Sequence, residues 1–199
     1  MNTLLTSALP SFVLGYLLGS IPFGLLLTRL AGKGDIRSVG SGNIGATNVL
    51  RTGSKLLAAA TLLLDVLKGA AAVWIAARYF PGTEHIAGAG ALIGHLYPLW
   101  LRFHGGKGVA TLLGVLAVLR PEIALVYALV WIGVLLLVRI SSVAGIVAAA
   151  SAPMSAFLLG RIDLLPVLMG LSILVIWKHR ENIARLRGGT EPRVGGKTA

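Results

Sequence analysis

Three glycine-rich polar stretches hold most of the residues in this chain that can grip an anion or move a proton: GSGNIGATN at Gly40–Asn48, HGGKGVAT at His104–Thr111 and HRENIARLRGGTE at His179–Glu191. In the first, Gly40, Gly42 and Gly45 let backbone N–H groups turn toward an anion, while Ser41, Asn43, Thr47 and Asn48 offer short polar side chains and Arg51 a charge. In the second, the Gly105-Gly106-Lys107-Gly108 turn sets backbone donors and an ammonium at the start of a helix, where an anion is favoured. In the third, His179 and Asn182 share a helix face at i, i+3 spacing, and the Gly188-Gly189 turn is placed to fold Glu191 back. A histidine can be base, acid or phosphate donor near neutral pH. Phosphate binding is the chemistry these residue types describe.

Each stretch has a plainer reading when taken alone. The first is then a loop whose Thr47 or Asn48 caps the next helix, the second a re-entrant turn anchored by Lys107, and the third a basic tail with an interfacial histidine. Two familiar nucleotide patterns fail on context. Gly40, Gly42 and Gly45 fit G-x-G-x-x-G, and Asp65 lies about 20 residues on as a ribose-binding acid would, but no strand precedes the glycines and Asp65 sits in an apolar helix. Lys107 is followed by glycine rather than Ser or Thr, so no Walker A loop exists and no nucleotide hydrolysis is expected.

The elements that carry these stretches are apolar. Of 199 residues, 56% are hydrophobic and only 13% charged, with a mean hydropathy of +0.85, which places the chain among integral membrane proteins. The charge-free run up to Arg29 is too long for a signal peptide and lacks a basic leader, so it is read as a retained membrane helix. There is no cysteine, hence no disulfide or thiolate chemistry.

Apolar segments at Leu4–Leu30, Leu56–Tyr79, Ile86–Leu101, Val109–Leu119, Ile123–Val138, Val143–Leu159 and Leu164–Trp177 predict an all-α membrane protein of about seven transmembrane helices, several of them short for the roughly 20 residues a span needs. If all seven cross, the polar loops 31–55, 102–111 and 178–199 share one side with fourteen of the eighteen Lys and Arg; Arg78, Arg120 and Arg161 lie opposite and Lys68 is inside a helix. That makes the crowded side cytoplasmic, with the N-terminus outside and the C-terminus inside. The net charge of +11 is explained by this topology and by anionic lipid, and no nucleic-acid partner is expected.

Asp65 and Lys68, at i, i+3 in the second helix, are expected to pair with each other; Asp65 is also a candidate partner for a loop cation. His95, within the third helix, suits a structural or a substrate role equally. His85 and His104 show no metal-ligand spacing, so no metal and no cofactor are expected.

These three stretches, in this order and spacing between short membrane helices, closely resemble the bacterial acyl-phosphate:glycerol-3-phosphate acyltransferases. The likeness covers nearly the whole of 1–199 as a single domain, with motifs at Gly40–Arg51, Gly94–Thr111 (including His95 and Pro98) and His179–Glu191. It implies transfer of a fatty acyl group from acyl phosphate to the 1-hydroxyl of glycerol 3-phosphate, giving lysophosphatidic acid and phosphate. It implies that Ser41, Arg51, His179 and Asn182 are catalytic, and that Gly40, Gly42, Asn43, Thr47, Asn48, His95, Gly105, Gly106, Lys107, Gly108, Thr111 and Glu191 bind substrate. A bacterial inner-membrane location, with the site facing the cytoplasm, membrane lipid around it and no obligate protein partner, follows from the same likeness.

The H-x-x-x-x-D pattern of thioester-dependent glycerolipid acyltransferases is absent: the residues five after the four histidines are Gly90, Trp100, Val109 and Ala184. A transporter of organic phosphate would expose its site to both sides, whereas here the outer loops are short and bare. A non-catalytic scaffold would have no use for Ser41, Arg51, Lys107 and His179 together.

Overall fold

The computed structural model describes residues 3–195. Among them there is no strand, as expected where lipid offers backbone groups no partner and each must be satisfied within its own segment. The protein is an all-α integral membrane protein. Lys197, counted above with the tail charges, lies outside the described residues.

Two compact units meet at Leu119/Arg120. The first contains α1 (Thr3–Gly19), α2 (Phe23–Leu30), α3 (Ala46–Leu50), α4 (Lys55–Tyr79), α5 (Glu84–Leu96) and α6 (Val109–Leu119). Among the described residues, four segments are long and apolar enough to cross a membrane: Thr6–Leu30, Lys55–Tyr79, Pro121–Val138 and Ser141–Leu158.

The predicted Leu4–Leu30 helix is broken at Ser20–Pro22, where Pro22 supplies no N–H. The freed carbonyls find side chains instead. Trp100 Nε1 donates to Ser20 O at 2.7 Å, and Lys68 Nζ to Ile21 O at 2.8 Å. The predicted Ile86–Leu101 segment likewise stops at Leu96, and a 3₁₀ turn at Leu99–Leu101 follows Pro98.

Small residues let these helices approach closely. Alanine at Gly15 or Gly19 of α1 would strike the backbone of Ala87 or Ala91 of α5, and alanine at Gly90 or Gly94 the backbone of α1 in return. Gly69 of α4 and Gly114 of α6 make the same kind of contact. Leu25, Ile36, Ile44, Val49 and Ala58 form an apolar cluster under the first polar loop. Ser54, not Thr47 or Asn48, caps α4, its hydroxyl accepting the Leu57 N–H at 3.2 Å.

The second unit contains α7 (Pro121–Val138), α8 (Ser141–Leu158), α9 (Leu165–Lys178) and α10 (Arg180–Arg187). Ser172 of α9 donates to Ala149 O of α8 at 2.6 Å. Beyond α10 the chain turns at Gly189 (φ +68) and returns to the α7–α8 turn, where Val194 N–H meets Arg139 O at 2.7 Å.

Candidate active site

The first polar stretch is wound around one side chain. Asn48 of α3 is buried; its Nδ2 donates to the carbonyls of Ile36 (3.0 Å), Val39 (2.9 Å) and Asn43 (2.8 Å), and its Oδ1 accepts the Ser41 N–H at 3.1 Å. Asn48, expected among the substrate-binding groups, is therefore the residue that folds the loop, its two amide hydrogens already shared by three carbonyls. Asn43 also turns inward, its Oδ1 accepting the Gly45 N–H at 2.9 Å. Gly40 and Gly42 have φ of +55° and +66°, and a side chain at Gly40 would run into the Arg51 guanidinium. Ser41, Thr47 and Arg51 are exposed on this folded loop.

Arg29 and Arg37 both grip Asp35, at 2.7 and 2.6 Å. The Arg37 hydrogen bond, with help from Arg29, holds the Asp35 carboxyl well below its ordinary range. Arg51 has no carboxylate within ion-pairing distance among the described residues, which leaves its charge available to an anion.

The second stretch is clamped by α5. Gly105 N–H donates to Leu96 O at 3.2 Å and Gly106 N–H to His95 O at 3.0 Å. A methyl group at Gly106 would collide with His95 Nε2, so glycine is what lets the loop lie on the imidazole. The His95 ring is buried there, its Nδ1 3.8 Å from Asp65 Oδ1, and Asp65 is ion-paired to Lys68 at 2.7 Å. Gly108, at φ +87°, starts α6, its carbonyl accepting from Leu112 at 2.8 Å, so the half-buried Lys107 is delivered to a helix N-terminus. Thr111, predicted to bind substrate, is fully buried in this first turn.

In the second unit, His179 sits at the corner between α9 and α10, 2% exposed, with Nδ1 2.7 Å from Val175 O. A carbonyl only accepts, so Nδ1 carries hydrogen and Nε2 of the neutral ring is the acceptor nitrogen. Asn182 is buried one turn on and donates through Nδ2 to Glu191 Oε1. Glu191 also accepts from Ser142 at 2.6 Å and, through Oε2, from Arg185 at 2.7 Å. Burial alone would raise the Glu191 carboxyl, but these three donors outweigh it and lower it below its ordinary value.

Ser142 and Arg185 escaped the sequence reading. Arg185 lies inside the third motif, but Ser142 is 49 residues from Glu191 and carries no motif signal.

A membrane-embedded helical protein with glycine-wound polar loops and a carbonyl-oriented histidine is the class defined here. The sequence profile of the glycerol-3-phosphate acyltransferases matches residues 9–189, and the chain belongs to that family. It is 57% identical over 187 residues to the glycerol-3-phosphate acyltransferase of Mesorhizobium japonicum, covering 94% of this chain and 96% of that one. It is also 57% identical over 185 residues to that of Erythrobacter litoralis, covering 93% and 94%. Crystal structures of PlsY (YgiH), an integral membrane glycerol 3-phosphate acyltransferase, are similar: the glycerol 3-phosphate form superposes with a TM-score of 0.89 at 42% identity, covering 95% of this chain and 96% of that one. The lysophosphatidic acid form gives 0.87 at 41%, with the same coverage.

Proposed function

We propose that this protein transfers a fatty acyl group from acyl phosphate to the 1-hydroxyl of sn-glycerol 3-phosphate, releasing lysophosphatidic acid and phosphate, the first acylation of phospholipid synthesis. The observation that carries the reading is a pair of glycine-built anion loops in one membrane unit, one presenting Ser41 and Arg51, the other Lys107 at a helix N-terminus. Both substrates carry phosphate, and the donor also carries a chain that must stay in lipid.

Transfer is direct. The hydroxyl oxygen attacks the acyl carbonyl carbon, the carbon–oxygen bond to phosphate breaks, and phosphate leaves with the electron pair. Acyl phosphate is a mixed anhydride with a good leaving group, so orienting two anions and offsetting their repulsion is most of the task. Lys107, Arg51 and backbone N–H groups near Gly42 and Gly106 bind phosphate; Ser41, Thr47 and Asn182 donate hydrogen bonds. His179 Nε2, made the acceptor by the Nδ1 bond to Val175, takes the hydroxyl proton. Residues 31–55, 102–111 and 178–199 face the cytoplasm at a bacterial inner membrane, seven helices cross, and no cofactor takes part.

The test is purified protein in lipid given labelled glycerol 3-phosphate with palmitoyl phosphate, palmitoyl-CoA or palmitoyl acyl-carrier protein. Lysophosphatidic acid from acyl phosphate alone is expected. Product from a thioester would overturn the donor, and product from none of the three would overturn the reaction.

A further inference from the structure

The acyl-transfer steps leave unused the most costly groups in the first unit: a carboxylate and an ammonium buried in the middle of α4, 3% and 4% exposed. Paired with each other at 2.7 Å, the two side chains also reach different structural joints. Lys68 Nζ reaches out of α4 to Ile21 O, in the break between α1 and α2, and lies 5.7 Å from the centre of the Phe23 ring at the start of α2. One residue further, Gly24 is pressed on Ile44 O and the Thr61 methyl, so the start of α2 seats the GSGNIG loop. Asp65 Oδ1, 2.7 Å from Lys68, is 3.8 Å from His95 Nδ1, and the opposite edge of the His95 ring is covered by Gly106 of the HGGKG loop.

We propose that the Asp65–Lys68 pair is a positioning device: one buried ion pair in α4 fixes both polar loops of this unit, the Ser41 loop through Ile21 and Phe23 and the Lys107 loop through His95. Neither residue touches the reacting atoms. A rigid spacing between two anion-binding loops is what a reaction between two phosphorylated substrates requires, since small displacements of positioned groups cost large factors in rate. The kinetic part of this inference rests on the reading that these loops hold the substrate phosphates; the structural part does not.

The experiment compares wild type, D65N, K68M and the double variant D65N/K68M in detergent, by amide hydrogen exchange and by kinetics. The double variant strands no buried charge and keeps the side-chain volumes, so it isolates positioning from the penalty of an orphaned ion. Its amides at Ser41, Gly45, Gly105 and Gly106 are expected to exchange about tenfold faster or more, while those at the α1–α5 contact keep wild-type protection. In the single variants the Gly105 and Gly106 amides respond to D65N, and Ser41 and Gly45 to K68M. The kcat falls about tenfold or more in the double variant, with the KM for glycerol 3-phosphate changing less. Loop exchange at wild-type rates would overturn the proposal, as would protection lost evenly through α1 and α5, which would make the pair a general stability element. Faster loop exchange in a protein whose wild type transfers no acyl group would keep the positioning role and remove the proposed reaction.

Discussion

The side chain of Asn48 reaches back seven residues to take the backbone N–H of Ser41 at 3.1 Å, so the residue that presents Ser41 is itself invisible to solvent. N48A strips the side-chain donor from three loop carbonyls, of which those of Ile36 and Val39 keep a backbone N–H, and leaves the Ser41 N–H without its acceptor, at about 1–3 kcal/mol for each buried group left unsatisfied. Acyl transfer should fall more than about tenfold, and the melting temperature with it. N48D should be worse than N48A, because a carboxylate keeps the acceptor for Ser41 but faces the carbonyls of Ile36, Val39 and Asn43. Activity and melting curves rank the three proteins; N48D above N48A would overturn this account of the loop.

Gly106 and Gly133 make a matched pair of controls. Alanine at Gly106 meets His95 Nε2, whereas at Gly133 of α7 nothing lies within 4 Å. G106A should lose at least about tenfold in turnover, and G133A should be neutral or more stable by about 0.5–1 kcal/mol, the ordinary gain of alanine over glycine inside a helix. Thermal melts and initial rates on the two variants decide it.

Glu191 gives the fold a pH dependence of known sign. Its folded carboxyl is lowered from an ordinary value of 4.5, so the stability it contributes is present above that value and lost as pH falls through the folded one. Wild type should therefore lose more stability than E191Q between about pH 5 and 3, and S142A, which removes one donor and narrows the gap between the folded and unfolded carboxyl, should lose less than wild type over the same range. Parallel melting-temperature profiles for wild type and E191Q would contradict the assignment.

His179 as base is separable from His179 as binder. Glutamine places an N–H donor near the Nε2 position but accepts no proton there. H179Q should lose about a hundredfold or more in kcat if Nε2 takes the proton, since general-base catalysis is worth about that much. Near wild-type kcat for H179Q would remove His179 as the base.

The cysteine-free sequence allows topology to be read directly. Single cysteines at Lys33 and Arg193 should react with an impermeant maleimide only after the inner membrane is opened, and one at Pro81 should react in its absence. Reaction of Lys33→Cys from outside would invert the proposed orientation.

The apolar segments were legible because long runs without charge have one explanation in so hydrophobic a chain. All seven contain a helix, from Thr3–Gly19 through Leu165–Lys178. Their interruptions were not. Pro22 and Pro98 lie inside runs that read as continuous, and what stabilises the first break, Lys68 and Trp100, comes from 47 and 80 residues away in hydrogen bonds that periodicity does not encode. α3 and α10 are too short and polar to register. At the site, the glycine-rich stretches announced themselves, and the pairing of Asp65 with Lys68 followed from i, i+3 spacing. Which polar residues face inward did not: Asn48 and Ser41 look alike as letters, and only the fold of the loop buries one and exposes the other.

The single hydrogen bond from Val194 to Arg139 sets a parity. It ties the chain after α10 to the turn before α8, so whatever α8 and α9 do between them, they bring the polypeptide back to the membrane face it left. A hairpin of two crossings satisfies this, with the Gly160–Leu164 turn and its Arg161–Asp163 ion pair on the far side. The chain after α10 then shares a leaflet with Arg139 through that contact, independent of any count of positive charge.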